Sequence, residues 1–190
     1  MILIVDTETS GFAHSSIPDV HPRQPHMVEL AATLVDLDNR TLGEVATIVR
    51  SDGWPIPADT VAIHGISLER SLEEGIYEGT ALRRLMDLAA QAKLIVAHNV
   101  EFDRGIVRIG LRRYLPELVE QWLALPVFCT MIASRKLCGK GKLAEAYGLI
   151  CGAEHEAQHQ ALGDVDACRA LYFEMVRRDL VTLPELERVA

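Results

Sequence analysis

No run in this sequence is apolar for the ~20 residues that a bilayer-spanning helix needs. The N-terminus, "MILIVDTETSG", lacks the basic stretch of a secretory leader and carries acids at Asp6 and Glu8. The expectation is a cytoplasmic protein with no membrane partner. The four cysteines (Cys129, Cys138, Cys151 and Cys168) include no C-x-x-C pair, so reduced thiols are expected rather than disulfides or a structural zinc site. Aromatic residues make up only 5%, and the core must rest on aliphatic side chains and alanine. Positive charge is also short. The net charge of -8 speaks against coating a duplex, though not against gripping a strand end.

The 190 residues suit one domain over 1–190, with a sizeable core, and no repeat or low-complexity tract interrupts them. "MILIVD" reads as a first strand. Residues 27–37 and 42–50 read as the next two, joined by a turn at Asp38-Asn39-Arg40-Thr41. The stretches 78–92 and 101–115 have helical apolar spacing, with a buried strand at 93–99 between them. A short strand at 126–130, two short helices at 130–137 and 142–149, and a long helix at 164–180 follow; the tail 182–190 adds a turn of helix. A meander followed by alternating strands and helices predicts an α/β domain with a mixed sheet covered by helices. Ser10–His26, with three Pro and three His, reads as a long loop whose histidines are exposed.

Three sequence stretches carry chemistry. In "VDTETSG", Asp6 and Glu8 stand two apart on a strand and project from one face. Paired carboxylates repel, and a hard cation such as Mg²⁺ or Mn²⁺ resolves the repulsion. In "AHNVEFD", His98 and Asn99 end a buried strand and Asp103 lies in the first helical turn, where ligands gather in open α/β sheets. The helix dipole alone would also favour an acid there. In "HEAQHQALGD", His159 and Asp164 would lie ~140° apart on one helix. The pair therefore works better if His159 belongs to a turn ahead of the helix. Asp166 should face elsewhere, into solvent.

Together, Asp6-x-Glu8, His98-Asn99-x-x-Phe102-Asp103 and His159-x-x-x-x-Asp164 resemble the DEDDh branch of the 3′–5′ exonucleases. That family includes the proofreading subunit of bacterial DNA polymerase III, ribonuclease T and oligoribonuclease. The likeness spans nearly the whole chain and implies an RNase H-like fold. It implies that Asp6, Glu8, Asp103 and Asp164 hold two divalent cations, Mg²⁺ or Mn²⁺, with Glu8 also catalytic. His159 would take the proton of the attacking water. It further implies substrate contacts from Thr7, Thr9, Gly11, His64 in "AIHGIS", His98 and Asn99, Asn99 serving otherwise as a turn residue. Cys129 replaces the acid that usually opens the helix at 130. The implied partner is single-stranded or 3′-frayed nucleic acid, DNA or RNA. Association with a polymerase or repair complex, and a homodimer, stay open.

Two rival readings exist. His155-Glu156-x-x-His159 spells a zinc-peptidase motif, which needs both histidines on one helix face and a third ligand. It leaves Asp6, Glu8, His98 and Asp103 unexplained, so His155 and Glu156 are read as bystanders. A catalytically silent nucleic-acid-binding module on the same fold would be expected to have lost carboxylates, and all are present. The stripe Arg104, Arg108, Arg112 is read as a solvated helix face.

Overall fold

The computed structural model describes residues 1–155 and 158–181. Five strands are β1 (Ile2–Thr9), β2 (Met27–Val35), β3 (Thr41–Ile48), β4 (Leu94–Ala97) and β5 (Val127–Cys129), in the order β3-β2-β1-β4-β5. The meander β1-β2-β3 is antiparallel, and β4 and β5 join parallel, which gives the mixed sheet expected. Its helices are α1 (Ala58–His64), α2 (Leu68–Glu74), α3 (Glu78–Ala89), α4 (Val100–Tyr114), α5 (Val119–Ala124), α6 (Thr130–Cys138), α7 (Leu143–Cys151) and α8 (Ala161–Arg177). Among the described residues, no helix is long and apolar enough to cross a membrane.

The pleat of β1 divides the core in two. Leu3 and Val5 join the larger cluster with Leu82 and Leu85 of α3 and Ile106 and Val107 of α4. Ile2 and Ile4 point the other way, against Val165, Cys168 and Tyr172 of α8. Side chains alternate along a strand, so β1 continues the same assignment beyond its apolar part. Thr7 faces α4, whereas Asp6 and Glu8 face α8. On the α4 side the helices approach closely: a Cβ added at Gly110 would stand 2.9 Å from Leu82 Cδ1.

Helices α1, α2 and α5 were absent from the sequence reading. The first two bury one residue each, His64 and Ser71, and so carry no apolar stripe to read. Their signals are terminal instead: Gly65 closes α1 at φ 71°, and the Ser67 hydroxyl accepts from Arg70 N to cap α2. Helix α8 begins three residues earlier than expected, at Ala161, and the tail 182–190 lies outside the described residues. All four cysteines are free, but only Cys168 is fully buried.

The 10–26 loop has no regular structure but is tied down. The Gln24 side chain, 3% exposed, accepts from His14 N and donates to the carbonyls of His14 and Ile17. Arg108 makes a two-bond pair with Asp19, and Arg113 donates to the carbonyls of Gln24 and Pro25. The arginine stripe of α4 is therefore occupied: Arg104 donates to Leu123 O and Arg112 pairs with Glu120. His26 is not an exposed loop histidine as expected; its ring stacks on Trp54. Gln24→Ala would leave buried backbone groups without partners, so it is expected to cost about 1–3 kcal/mol in urea unfolding and to speed proteolysis within 10–26. Unchanged stability and unchanged cleavage would contradict this role.

Candidate active site

Asp6 and Glu8 end β1, Asp103 sits in the first turn of α4, and Asp164 in the first turn of α8. These elements meet at one end of the sheet, and all four carboxylates line a single cleft of about 470 Å³ with Thr7, His98, Phe102, Lys142, His155 and His159. Glu8, His159 and Asp164 present ligand atoms within 4.8 Å of one another. Thr7, on the opposite face of β1, meets Asp103: its backbone N–H and its hydroxyl both donate to Asp103 Oδ1, at 3.0 and 2.8 Å. Thr7 thus orients a carboxylate.

Burial pushes Asp6 well above the ordinary carboxylate range, and the charges of Asp103, Asp164, Glu8 and Glu29 add to it. Burial likewise raises Glu8 to about 7, helped by Asp164 and Glu29. Asp103 is also pushed to about 7 by burial, against the lowering effect of the two Thr7 bonds. Carboxylates this crowded are poor company for each other and good company for a divalent cation. The all-oxygen carboxylate set with one adjacent imidazole fits a hard metal ion.

His159 lies in a turn at φ 61°, ahead of α8, as the spacing argument required. Its backbone N–H donates to Asp164 Oδ2 at 2.8 Å, so the carboxylate shapes the turn that carries the imidazole. Asp166 is exposed, as expected. His155 is not a bystander: its Nε2 lies 2.6 Å from Asp164 Oδ1, and its side chain is 5% exposed. The described residues around it, 152–155 and 158–160, are not helical. The peptidase motif therefore lacks the helix face that would pair its histidines; Glu156 lies outside the described residues.

The remaining candidates divide by role. His98 uses both ring nitrogens within the protein, Nδ1 with the Thr130 hydroxyl and Nε2 with Gly141 O, each at 2.9 Å. It braces the α6–α7 connection against β4. Asn99 is exposed and left-handed at φ 78°, the turn residue of the two alternatives. The Thr9 hydroxyl donates to Gly11 O, and Gly11 sits at φ 151°, which a side chain would strain. His64 receives Ile66 N on Nδ1, while its buried Nε2 has no partner among the described residues. Burial and then the nearby His159 lower its pKa.

Two contributors escaped the sequence reading. Glu29 stands directly opposite Glu8 across the β1–β2 ladder and accepts Ala161 N at the start of α8. Its signal was visible: it is the one acid in "MVELAATLV". Lys142 is the one Lys or Arg lining the cleft among the described residues. Because Asp6, Glu8 and Asp103 hold protons more tightly folded than unfolded, stability without metal should fall as pH rises from about 4 to about 7. Melting in EDTA between those limits checks the sign. Asp103→Asn should flatten the slope, and Mg²⁺ or Mn²⁺ should raise the melting temperature more at about pH 7.5 than at about pH 5.

A family model described as Exonuclease (RNase T) matches residues 3–172. A DNA polymerase III subunit epsilon-like protein of Rhodobacter capsulatus is 28% identical over 92% of this chain, which spans 23% of that relative. The DNA polymerase III subunit epsilon of Buchnera aphidicola is 25% identical over 91% of this chain and 71% of its own length. Among solved structures, E. coli exonuclease I in complex with a dA16 oligonucleotide superposes with a TM-score of 0.74 at 21% identity, over 93% of this chain and 41% of that one. The architecture is the RNase H-like one expected. The chain belongs to the Exonuclease (RNase T) family.

Proposed function

We propose that the protein is a 3′–5′ exonuclease that removes nucleoside 5′-monophosphates from single-stranded or frayed nucleic acid. One observation carries the reading: Asp6, Glu8, Asp103 and Asp164 come from three separate elements to one cleft, beside His159. Asp6, Glu8, Asp103 and Asp164 would hold two divalent cations, Mg²⁺ or Mn²⁺, which when bound neutralise the developing charge of an in-line displacement. The protein's own groups do the rest. His159 accepts the proton of the attacking water; an imidazole suits this near neutral pH. The water oxygen bonds to phosphorus, and the 3′-oxygen of the preceding nucleotide leaves. His64 Nε2, without a partner among the described residues, offers a hydrogen bond to the terminal nucleotide. Lys142 attracts its phosphate. Thr7, Glu29, His98 and His155 position the carboxylates and the loops that bear them.

The likeness to polymerase III epsilon supports work beside a polymerase or in a repair complex, and the dA16 complex of exonuclease I supports a single-stranded substrate. With 3′-labelled DNA and RNA, stepwise release of mononucleotides is expected, abolished by EDTA. Asp6→Ala should remove activity, and His159→Ala should lower kcat about 10²–10⁴-fold. Release starting from the 5′ end would overturn the polarity. His155→Ala is expected to cost less than His159→Ala; an equal loss would reverse the assignment of the two histidines.

A further inference from the structure

A second cleft of about 460 Å³ opens beside the catalytic one. Its inner lip is Ser10-Gly11-Phe12, the segment that leaves β1 after Thr9. The two clefts meet at an aromatic pair: Phe102 lines the catalytic cleft, Phe12 lines the second, and their rings stand edge to face 6.0 Å apart. The far wall is Trp54 with Pro55 and Pro57.

Three properties of this cleft point to one kind of ligand. The first is charge. Among the described residues no Asp or Glu lines it, although the chain carries a net charge of -8 and the neighbouring cleft holds four carboxylates. Arg23, His14 and His26 supply its polar side. The second is shape. Trp54 lies parallel to His26, with centroids 4.6 Å apart and an interplanar angle of 2°, so the wall is a flat double layer of rings and prolines. Flat walls of this kind receive flat heterocycles, and base–aromatic stacking tolerates any base. The third is rigidity. His26 Nδ1 lies 2.8 Å from Glu78 Oε2, whose residue is 2% exposed, and Arg113 and Gln24 fasten the backbone beneath. The wall is formed in advance, so little ordering entropy is spent on binding.

We infer that this cleft is a nucleobase subsite: it takes one unpaired base of the substrate strand upstream of the scissile bond, stacked on the Trp54–His26 pair. The inference rests on the exonuclease reading, because the second cleft gains its meaning from a strand whose 3′ end lies in the first. Stacking there would hold the strand between rounds of cleavage and would favour substrates long enough to reach it. DNA and RNA present the same chemistry to a stacking wall, so the test carries both.

The chain has two tryptophans, and Trp122 is 0% exposed, so Trp54 is the one placed to respond to an added strand. Tryptophan fluorescence is measured as phosphorothioate-linked (dT)4, (rU)4 and thymidine 5′-monophosphate are added with Mn²⁺. The tetranucleotides should quench, and the mononucleotide, which fills only the catalytic cleft, should not. An abasic residue at one of positions two to four from the 3′ end should abolish the quench. Trp54→Ala should raise KM for a tetranucleotide roughly tenfold more than KM for the p-nitrophenyl ester of thymidine 5′-monophosphate. Trp54→Phe should restore most of the difference. A wall that merely covers the core would lower thermal stability in Trp54→Ala while moving both KM values alike. Hydrolysis of the unmodified tetranucleotides with no fluorescence change from their phosphorothioate forms, or a quench that survives every abasic placement, would overturn the subsite and leave the exonuclease reading standing. Absence of nucleotide release from wild-type protein would instead sink the reading beneath it.

Discussion

Repulsion among carboxylates at the end of β1 is the constraint around which the site is arranged. Asp6 and Glu8 share a face because the pleat repeats every two residues. Glu29 stands opposite Glu8 on the next strand, and Asp164 and Asp103 arrive from α8 and α4. Like charges opposite one another destabilise a sheet, and burial adds to the cost. Apolar packing on both faces of β1 opposes that cost, with Leu3 and Val5 buried on one side and Ile2 and Ile4 on the other. The strand that concentrates negative charge is also the central strand of the sheet.

The neighbouring polar groups read as consequences of this arrangement. Thr7 gives Asp103 two hydrogen bonds on the side away from Asp6. Glu29 pins the first residue of α8 and so sets where Asp164 begins. Asp164 in turn receives His159 N on one oxygen and faces His155 on the other. His98 stitches β4 to the α6–α7 connection, which places Lys142 at the cleft. Catalytic precision depends on side chains held by partners of their own, and here those partners come from elements far apart in sequence.

Charge is segregated as well as concentrated. The catalytic cleft is acidic; among the described residues no acid lines the cleft behind Phe12. The arginines of α4 that looked free along one helix face are instead spent on Asp19, Glu120 and the Leu123 carbonyl, fastening the long loop and α5.

Much of this was legible along the chain. Strands β1, β2 and β4 show as buried apolar runs, and helices α3, α4 and α8 show a period-3.6 apolar face. Helices α1 and α2 bury almost nothing and left no such pattern. The pairing of Asp6 with Glu8, and the need for His159 to sit in a turn, followed from local geometry alone. His155 against Asp164, Glu29 against Glu8, Thr7 against Asp103 and His26 against Trp54 did not. Local periodicity states which way a side chain points; which distant side chain it meets depends on how the elements cross. The sequence by itself determined the carboxylates, the histidine and the family they resemble. Only the tertiary structure decided which neighbours hold them in place, because those contacts join residues up to 132 positions apart.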